Sequence, residues 1–229
     1  MKRINIMFFP GWNESSSKYT ERISKLTFGR TGKWKEIEAV LDPRETDLAI
    51  CLGSIQSINK ANQNGFNRER IVYIKREGIH VLPVIDPEKC AICYQQPCLL
   101  NAAIHWLDLG IEELLTLKID KPKKLSAILS AQKVLLGHRN RINFVEELSK
   151  RINFDVYGKG HKDKSFNNNY CGPLLKSNNC KIDGLYNYQT TVSIENASLP
   201  GYFTEKINDC FLAYTYPLYY GCPEIEYYF

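Results

Sequence analysis

Apolar residues in this chain cluster in short runs separated by polar stretches of helical or loop length. Residues 3–9, 47–52 and 70–74 in the first half read as buried strands, rich in β-branched and aromatic side chains. In the second half, residues 125–130, 154–158, 191–194 and 216–220 read the same way. Two stretches carry the helical period instead. Ile142, Val145, Leu148 and Ile152 form one apolar face, with Asn140 as its expected N-cap and Arg141 in its first turn. Ile207, Cys210, Phe211 and Tyr214 form the other, with Thr204 as N-cap. Residues 104–117 are periodic too, with a break at Gly110. The segment up to Leu41 is mixed, with Trp34 and an Ile37/Val40/Leu41 face. Short strands alternating with crossover lengths imply parallel sheets and an α/β protein. Residues 120–124 are charged and contain Pro122, so they are expected to link a first domain, 1–119, to a second, 125–229.

Strand 191–194 runs into Glu195 and Asn196, a loop with Pro200 and Gly201, the helix after Thr204, and strand 216–220. This is a βαβ unit, which binds ligands beyond the carboxyl ends of its strands. Unused backbone N–H groups and the dipole at the helix start favour an anion, and Lys206 adds a full charge. Glu205 beside it can accept hydrogen bonds from a diol such as a ribose. Phosphate plus ribose is a nucleotide; the plainer alternative is that Glu205 and Lys206 are solvated first-turn residues. Arg141 repeats the pattern, a cation at a helix start following a strand.

A hydrophobic content of 44% supports a full core. The net charge of +5 is uneven, since residues 118–164 hold twelve Lys/Arg against five Asp/Glu. Such a surface suits a nucleoside diphosphate or a nucleic-acid backbone, and no nucleic-acid motif accompanies it. The first ten residues read as a strand and not as a signal peptide, and no run reaches membrane-spanning length. A cytoplasmic protein is therefore expected. On that expectation the sequons at Asn13 and Asn196 carry no meaning. Among eight cysteines, Cys90 and Cys93 form a C-x-x-C followed by Cys98. The group lacks the second pair of a structural zinc site, leaving zinc or redox chemistry on one side and incidental thiols on the other. His80 and His105 stand alone and read as structural.

Residues 194–223, IENASLPGYFTEKINDCFLAYTYPLYYGCP, resemble the donor-binding signature of glycosyltransferase family 10, the α-1,3/1,4-fucosyltransferases. SAILSAQKVLLGHRNRINFVEEL (126–148) and FDVYGKG (154–160) resemble the same family. The resemblance implies a GT-B-like α/β fold, two Rossmann-like halves facing across a cleft. The second half holds the donor and is short beside the family's usual length. It further implies inverting transfer of fucose from GDP-fucose to a glycan hydroxyl, while the sequence itself points to no membrane span and no nucleic-acid partner. Arg141 would bind the pyrophosphate with Lys206. Tyr202 would line the phosphate or fucose, Thr204 the helix start, Glu205 the ribose, and Glu195 and Asn196 the sugar end. Glu195 and Asn196 could instead fix the loop. Ile74-Lys75-Arg76-Glu77-Gly78 resembles the place of the family's acceptor-side carboxylate, making Glu77 the candidate catalytic base; otherwise it is a surface turn. Lys75 and Arg76 would favour the ionised carboxylate. No Asp-x-Asp motif occurs, so neither a metal nor another cofactor is expected. The alternatives are another nucleotide sugar as donor, or a catalytically inactive remnant.

Overall fold

A computed structural model describes residues 3–76, 85–94, 105–174 and 180–229. They form two compact units, Met1–Pro97 with Leu109–Leu115 and Cys98–Asp108 with Thr116–Phe229.

The first unit is built on a six-stranded sheet of order β2-β3-β1-β4-β5-β6. Its strands are β1 (Ile4–Pro10), β2 (Lys33–Trp34), β3 (Ile37–Ala39), β4 (Leu48–Leu52), β5 (Ile71–Ile74) and β6 (Ile92–Tyr94). All pairings are parallel except β2 with β3. The period-2 rule puts Met7, Phe9, Ala49, Cys51, Ile71 and Tyr73 on one face. There they meet Ile58 and Ala61 of helix α2 (Ile55–Gln63), together with Phe66. On the other face Phe8 packs against Tyr19 of helix α1 (Ser16–Ser24), ring centroids 5.2 Å apart. Large side chains buried this fully contribute roughly 1.5–3 kcal/mol each. Beyond the carboxyl ends of β1 and β5, Arg76 lies over the Trp12 ring at 5.3 Å and reaches the Tyr19 hydroxyl at 3.5 Å. The short helix α3 (Ile111–Leu115) begins after Gly110, where the period breaks.

The second unit carries a five-stranded, all-parallel sheet of order β11-β10-β7-β8-β9. These are β7 (Lys123–Ile128), β8 (Asp155–Tyr157), β9 (Tyr170–Gly172), β10 (Tyr188–Ile194) and β11 (Tyr216–Tyr220). The chain builds outward from β7 to β9, returns to the other side of β7 at β10, and continues to β11. The strand order reverses between β7 and β10. That reversal is the position where open α/β sheets bind ligands. Helix α4 (Leu136–Ser149) covers one face, with Val145 buried against Ala127, Leu129, Val156 and Val192. Helices α5 (Ile182–Leu185) and α6 (Glu205–Leu212) contact β10, as part of the same unit.

Two contacts hold the loops at the sheet's carboxyl edge backbone to backbone. A Cβ placed on Gly137, at the start of α4, would lie 1.8 Å from the Asn196 carbonyl oxygen. One on Gly158, which has φ +146°, would lie 1.6 Å from the Leu129 carbonyl oxygen. Only glycine fits either place.

Several expected elements shift. Residues 120–124 are not a free linker. Lys123 and Lys124 start β7, and the Lys121 ammonium donates to the carbonyls of Tyr186 (2.5 Å) and Ala213 (2.6 Å), next to the C-terminal ends of α5 and α6. Residues 105–108 group with the second unit, whereas 109–115 stay with the first. The helix expected to start after Asn140 begins five residues earlier, at Leu136. Its cap is His138, whose Nδ1 accepts from the Leu135 N–H at 3.4 Å, so Arg141 sits in the second turn. Helix α6 stops at Leu212 because Tyr214 takes the left-handed conformation at φ +54°. Phe211 and Tyr214 are exposed, and of the expected face only Ile207 and Cys210 are buried.

Candidate active site

A cavity of about 690 Å³ opens in the second unit at the strand-order reversal. Its wall draws on the loops after β7 (Ser130, Gln132) and β8 (Lys159, Gly160), on β10 (Ser193), and on the first turn of α6 (Glu205, Lys206). Arg141 enters from α4, and Trp106 and Lys181 from segments outside these elements. Among the lining residues four cations, Arg141, Lys159, Lys181 and Lys206, stand against one carboxylate, Glu205. Such a wall selects an anion.

Arg141 reaches the cavity because α4 turns His138, Arg141, Val145 and Ser149 inward, at helical spacing. The residue is 8% exposed. Among the described residues it makes one hydrogen bond, from Nη1 to Asn196 Oδ1 at 3.3 Å, and its Nε is buried without a partner. Burial lowers the pKa of Arg141 from the ordinary arginine range, against the pull of Glu195, Tyr202 and Glu205. Burial also lowers the His138 pKa, helped by Arg141 and Lys206, so the ring stays a neutral acceptor for its cap. A buried cation with so little compensation carries a large desolvation cost, which an anionic ligand would offset.

Glu195 follows β10 directly, its N–H donating to the Tyr220 carbonyl at 2.9 Å and continuing the ladder with β11. Its carboxylate is fully buried and turned toward the start of α6. It accepts the Thr204 N–H at 2.8 Å and lies with both oxygens 2.9 Å from the Thr204 hydroxyl. Lys206 Nζ donates to it at 2.6 Å and to Thr204 Oγ1 at 2.9 Å. The helix-start N–H groups expected to be open for an anion are thus partly used. Glu195 takes that of Thr204, and the Thr204 hydroxyl accepts that of Lys206. Glu195 is held in the scaffold of the loop, where the sequence left it between sugar contact and loop fixation. Thr204 is an N-cap as expected. Its replacement by alanine removes the cap and a Glu195 partner together. Thr204→Ala should cost about 1–2 kcal/mol in urea unfolding, with Thr204→Ser close to wild type.

Tyr202, expected at the phosphate or fucose, is 1% exposed and is not among the residues lining the cavity. Glu205 does line it, with Oε1 accepting from Lys181 Nζ at 3.1 Å. Asn196 reaches it only through Arg141. Glu77 lies outside the described residues, as do Cys98 and His80. Lys75, next to the expected base, is 1% exposed, and burial lowers its pKa. His105 is buried, its Nδ1 accepting from the Leu107 N–H at 3.3 Å. Burial drives the thiol of Cys51 up to about 12 and that of Cys90 to about 11, far from nucleophilic thiolates. Among the described residues no group of three or more His, Cys, Asp or Glu is placed to hold a metal ion. No helix among them is long and apolar enough to cross a membrane.

Lys181, Trp106, Lys159 and Gln132 were not anticipated. Lys159 had a readable signal, a lysine between two glycines directly after a strand. Lys181 and Trp106 had none, since both reach the cavity through tertiary contacts.

Residues 120–228 match the family model described as "Glycosyltransferase family 10 (fucosyltransferase) C-term". No curated protein matches the chain. Among solved structures, it is similar to an α1,3-fucosyltransferase with GDP, at 16% identity and a TM-score of 0.52, covering 98% of this chain and 70% of that one. An α1,3-fucosyltransferase structure described without a ligand gives a TM-score of 0.50 at the same identity and coverage. At this identity the likeness establishes the fold, two predominantly parallel α/β sheets of the GT-B-like kind.

Proposed function

We infer that this chain, whose residues 120–228 match the fucosyltransferase family, transfers fucose from GDP-fucose to a hydroxyl of a glycan acceptor, with inversion at the anomeric carbon. The observation that carries this reading is the under-compensated Arg141 guanidinium, which shares one cavity with Lys206 at the strand-order reversal. A diphosphate would supply the charge that Arg141 lacks, beside a Lys206 ammonium already paired with Glu195. The GDP bound to the similar α1,3-fucosyltransferase supports a guanosine nucleotide as the donor's carrier.

In the proposed reaction a carboxylate, Glu77, takes the acceptor proton as the hydroxyl oxygen bonds to the anomeric carbon. The bond from that carbon to the diphosphate oxygen breaks through an oxocarbenium-like state, and the electron pair leaves with GDP. Arg141 and Lys206 meet the growing charge, and Glu205 accepts from the ribose hydroxyls. Glu195 acts indirectly, fixing Lys206 and the helix start.

Calorimetric titration with GDP and assay with GDP-fucose test the reading. GDP should bind and fucose should transfer. Glu77→Gln should leave GDP affinity unchanged and reduce turnover by roughly 10²–10⁴. Undetectable GDP binding by the wild-type chain would end the donor assignment, and full turnover in Glu77→Gln would remove that residue from the mechanism. Other nucleoside diphosphate sugars in the same assay distinguish the donor's base and sugar.

A further inference from the structure

The first two turns of α6 present two carboxylates one helical turn apart, Glu205 at the cavity wall and Asp209 fully buried. Like charges at this spacing repel on a helix. The chain places a lysine from elsewhere between them. Lys181 Nζ donates to Asp209 Oδ2 at 2.6 Å and to Glu205 Oε1 at 3.1 Å. The second Asp209 oxygen accepts the Trp106 N–H at 2.8 Å, and the Lys181 N–H returns a bond to the Trp106 carbonyl at 2.6 Å. Lysine, aspartate and tryptophan backbone thereby close a ring of hydrogen bonds behind Glu205. Lys181 and Trp106 both line the cavity.

We propose that Lys181, anchored by Asp209 and the Trp106 backbone, is a positioning residue that holds the Glu205 carboxylate where it reads the ribose hydroxyls of a nucleoside diphosphate. This rests on the donor-site reading above. A carboxylate has about four acceptor sites, so a bond from Lys181 leaves capacity for a diol. Without Lys181 the geometry has no reason to persist, because Glu205 would stand one turn from a buried anion. Burial already pushes the Asp209 carboxyl up to about 6, and Glu205 adds to that rise while Lys181 opposes it. The charge on Lys181 is in turn held on by both carboxylates, which outweigh its burial and raise its pKa.

The test is a ratio of affinities, measured calorimetrically on the full chain for GDP and for its 2′,3′-dideoxy analogue. Wild type should prefer GDP by roughly ten- to a hundredfold, the range of hydrogen bonds to a charged group. In Lys181→Met the preference should fall to within about threefold, through loss of GDP affinity with the analogue's affinity little changed. Asp209→Asn is isosteric and uncharged. It releases the lysine's anchor and should shrink the preference likewise, so it carries the test if Lys181→Met does not fold. A wild-type preference retained in a folded variant overturns the proposal. So does an equal loss of affinity for both nucleotides, which a merely structural role would produce. A wild-type chain that binds neither nucleotide removes the donor-site reading and this inference with it. A wild type that prefers GDP, with variants that keep that preference, removes the inference alone.

Discussion

Arg141→Met is expected to weaken GDP binding by more than a hundredfold while leaving the ligand-free protein as stable as wild type or more so. Both halves of the result follow from one geometry. Arg141 is 8% exposed, and among the described residues its guanidinium holds one hydrogen bond to Asn196 and keeps a buried Nε without a partner. In the empty site its charge is a cost, and buried charges replaced by apolar groups of similar volume often leave a protein more stable by about 1–4 kcal/mol. In the proposed liganded site it would donate to the diphosphate, and two charge-assisted hydrogen bonds at about 1.5–3 kcal/mol each account for more than a hundredfold in affinity. Thermal unfolding with and without GDP reads both at once. A melting temperature well below wild type, or undiminished affinity for GDP, would contradict the assignment of Arg141 to the donor.

Glu195→Ala should be the most destabilising single change among the residues of the site, about 3–5 kcal/mol in urea unfolding. The carboxylate is fully buried, and it meets the Thr204 N–H, the Thr204 hydroxyl and the Lys206 ammonium at 2.6–2.9 Å. Its removal strips a backbone donor and a largely buried cation of their partner simultaneously. Glu195→Gln keeps an acceptor for the N–H and should lose about half as much. Lys206→Met leaves the buried carboxylate short of charge, so its loss of GDP affinity comes together with lost stability and has to be read against the folded fraction. A Glu195→Ala variant within 1 kcal/mol of wild type would show that the loop is held by other means.

The longer strands were legible because burial on both faces of a parallel sheet demands continuous apolar runs, as in 48–52 and 71–74. Of the two- and three-residue strands only β8, inside the run 154–158, was legible, and β2, β3, β6 and β9 were not. Runs that short take their conformation from the neighbour they pair with, and Ile37 to Ala39 read equally well as one turn of an apolar face. Helix α1 was hidden by its polar composition, since only Tyr19 and Thr20 are buried. At the site, Thr204, Glu205 and Lys206 were readable from helix-start chemistry, and Arg141 was found for a partly mistaken reason. Its helix is capped by a histidine side chain, for which capping preferences give no signal. The apolar pattern also passed over His138 and Arg141, which share the inward face with Val145. The family resemblance pointed to Arg141 and Lys206 as one site, and they do line one cavity. It gave no hint of Lys181, whose partners are 24 and 28 residues away.

Where α4 meets the loop after β10, and where the β8 loop meets β7, main chain rests on main chain with no room for even one added methyl group. The width of the cavity near these loops is consequently cast by polypeptide and not by replaceable side chains. Redesign toward a bulkier or smaller nucleotide sugar would have to work through the projecting groups, Gln132, Lys159 and Ser193. The mould itself resists retuning, and substitutions at Gly137 or Gly158 would distort the cavity instead of resizing it.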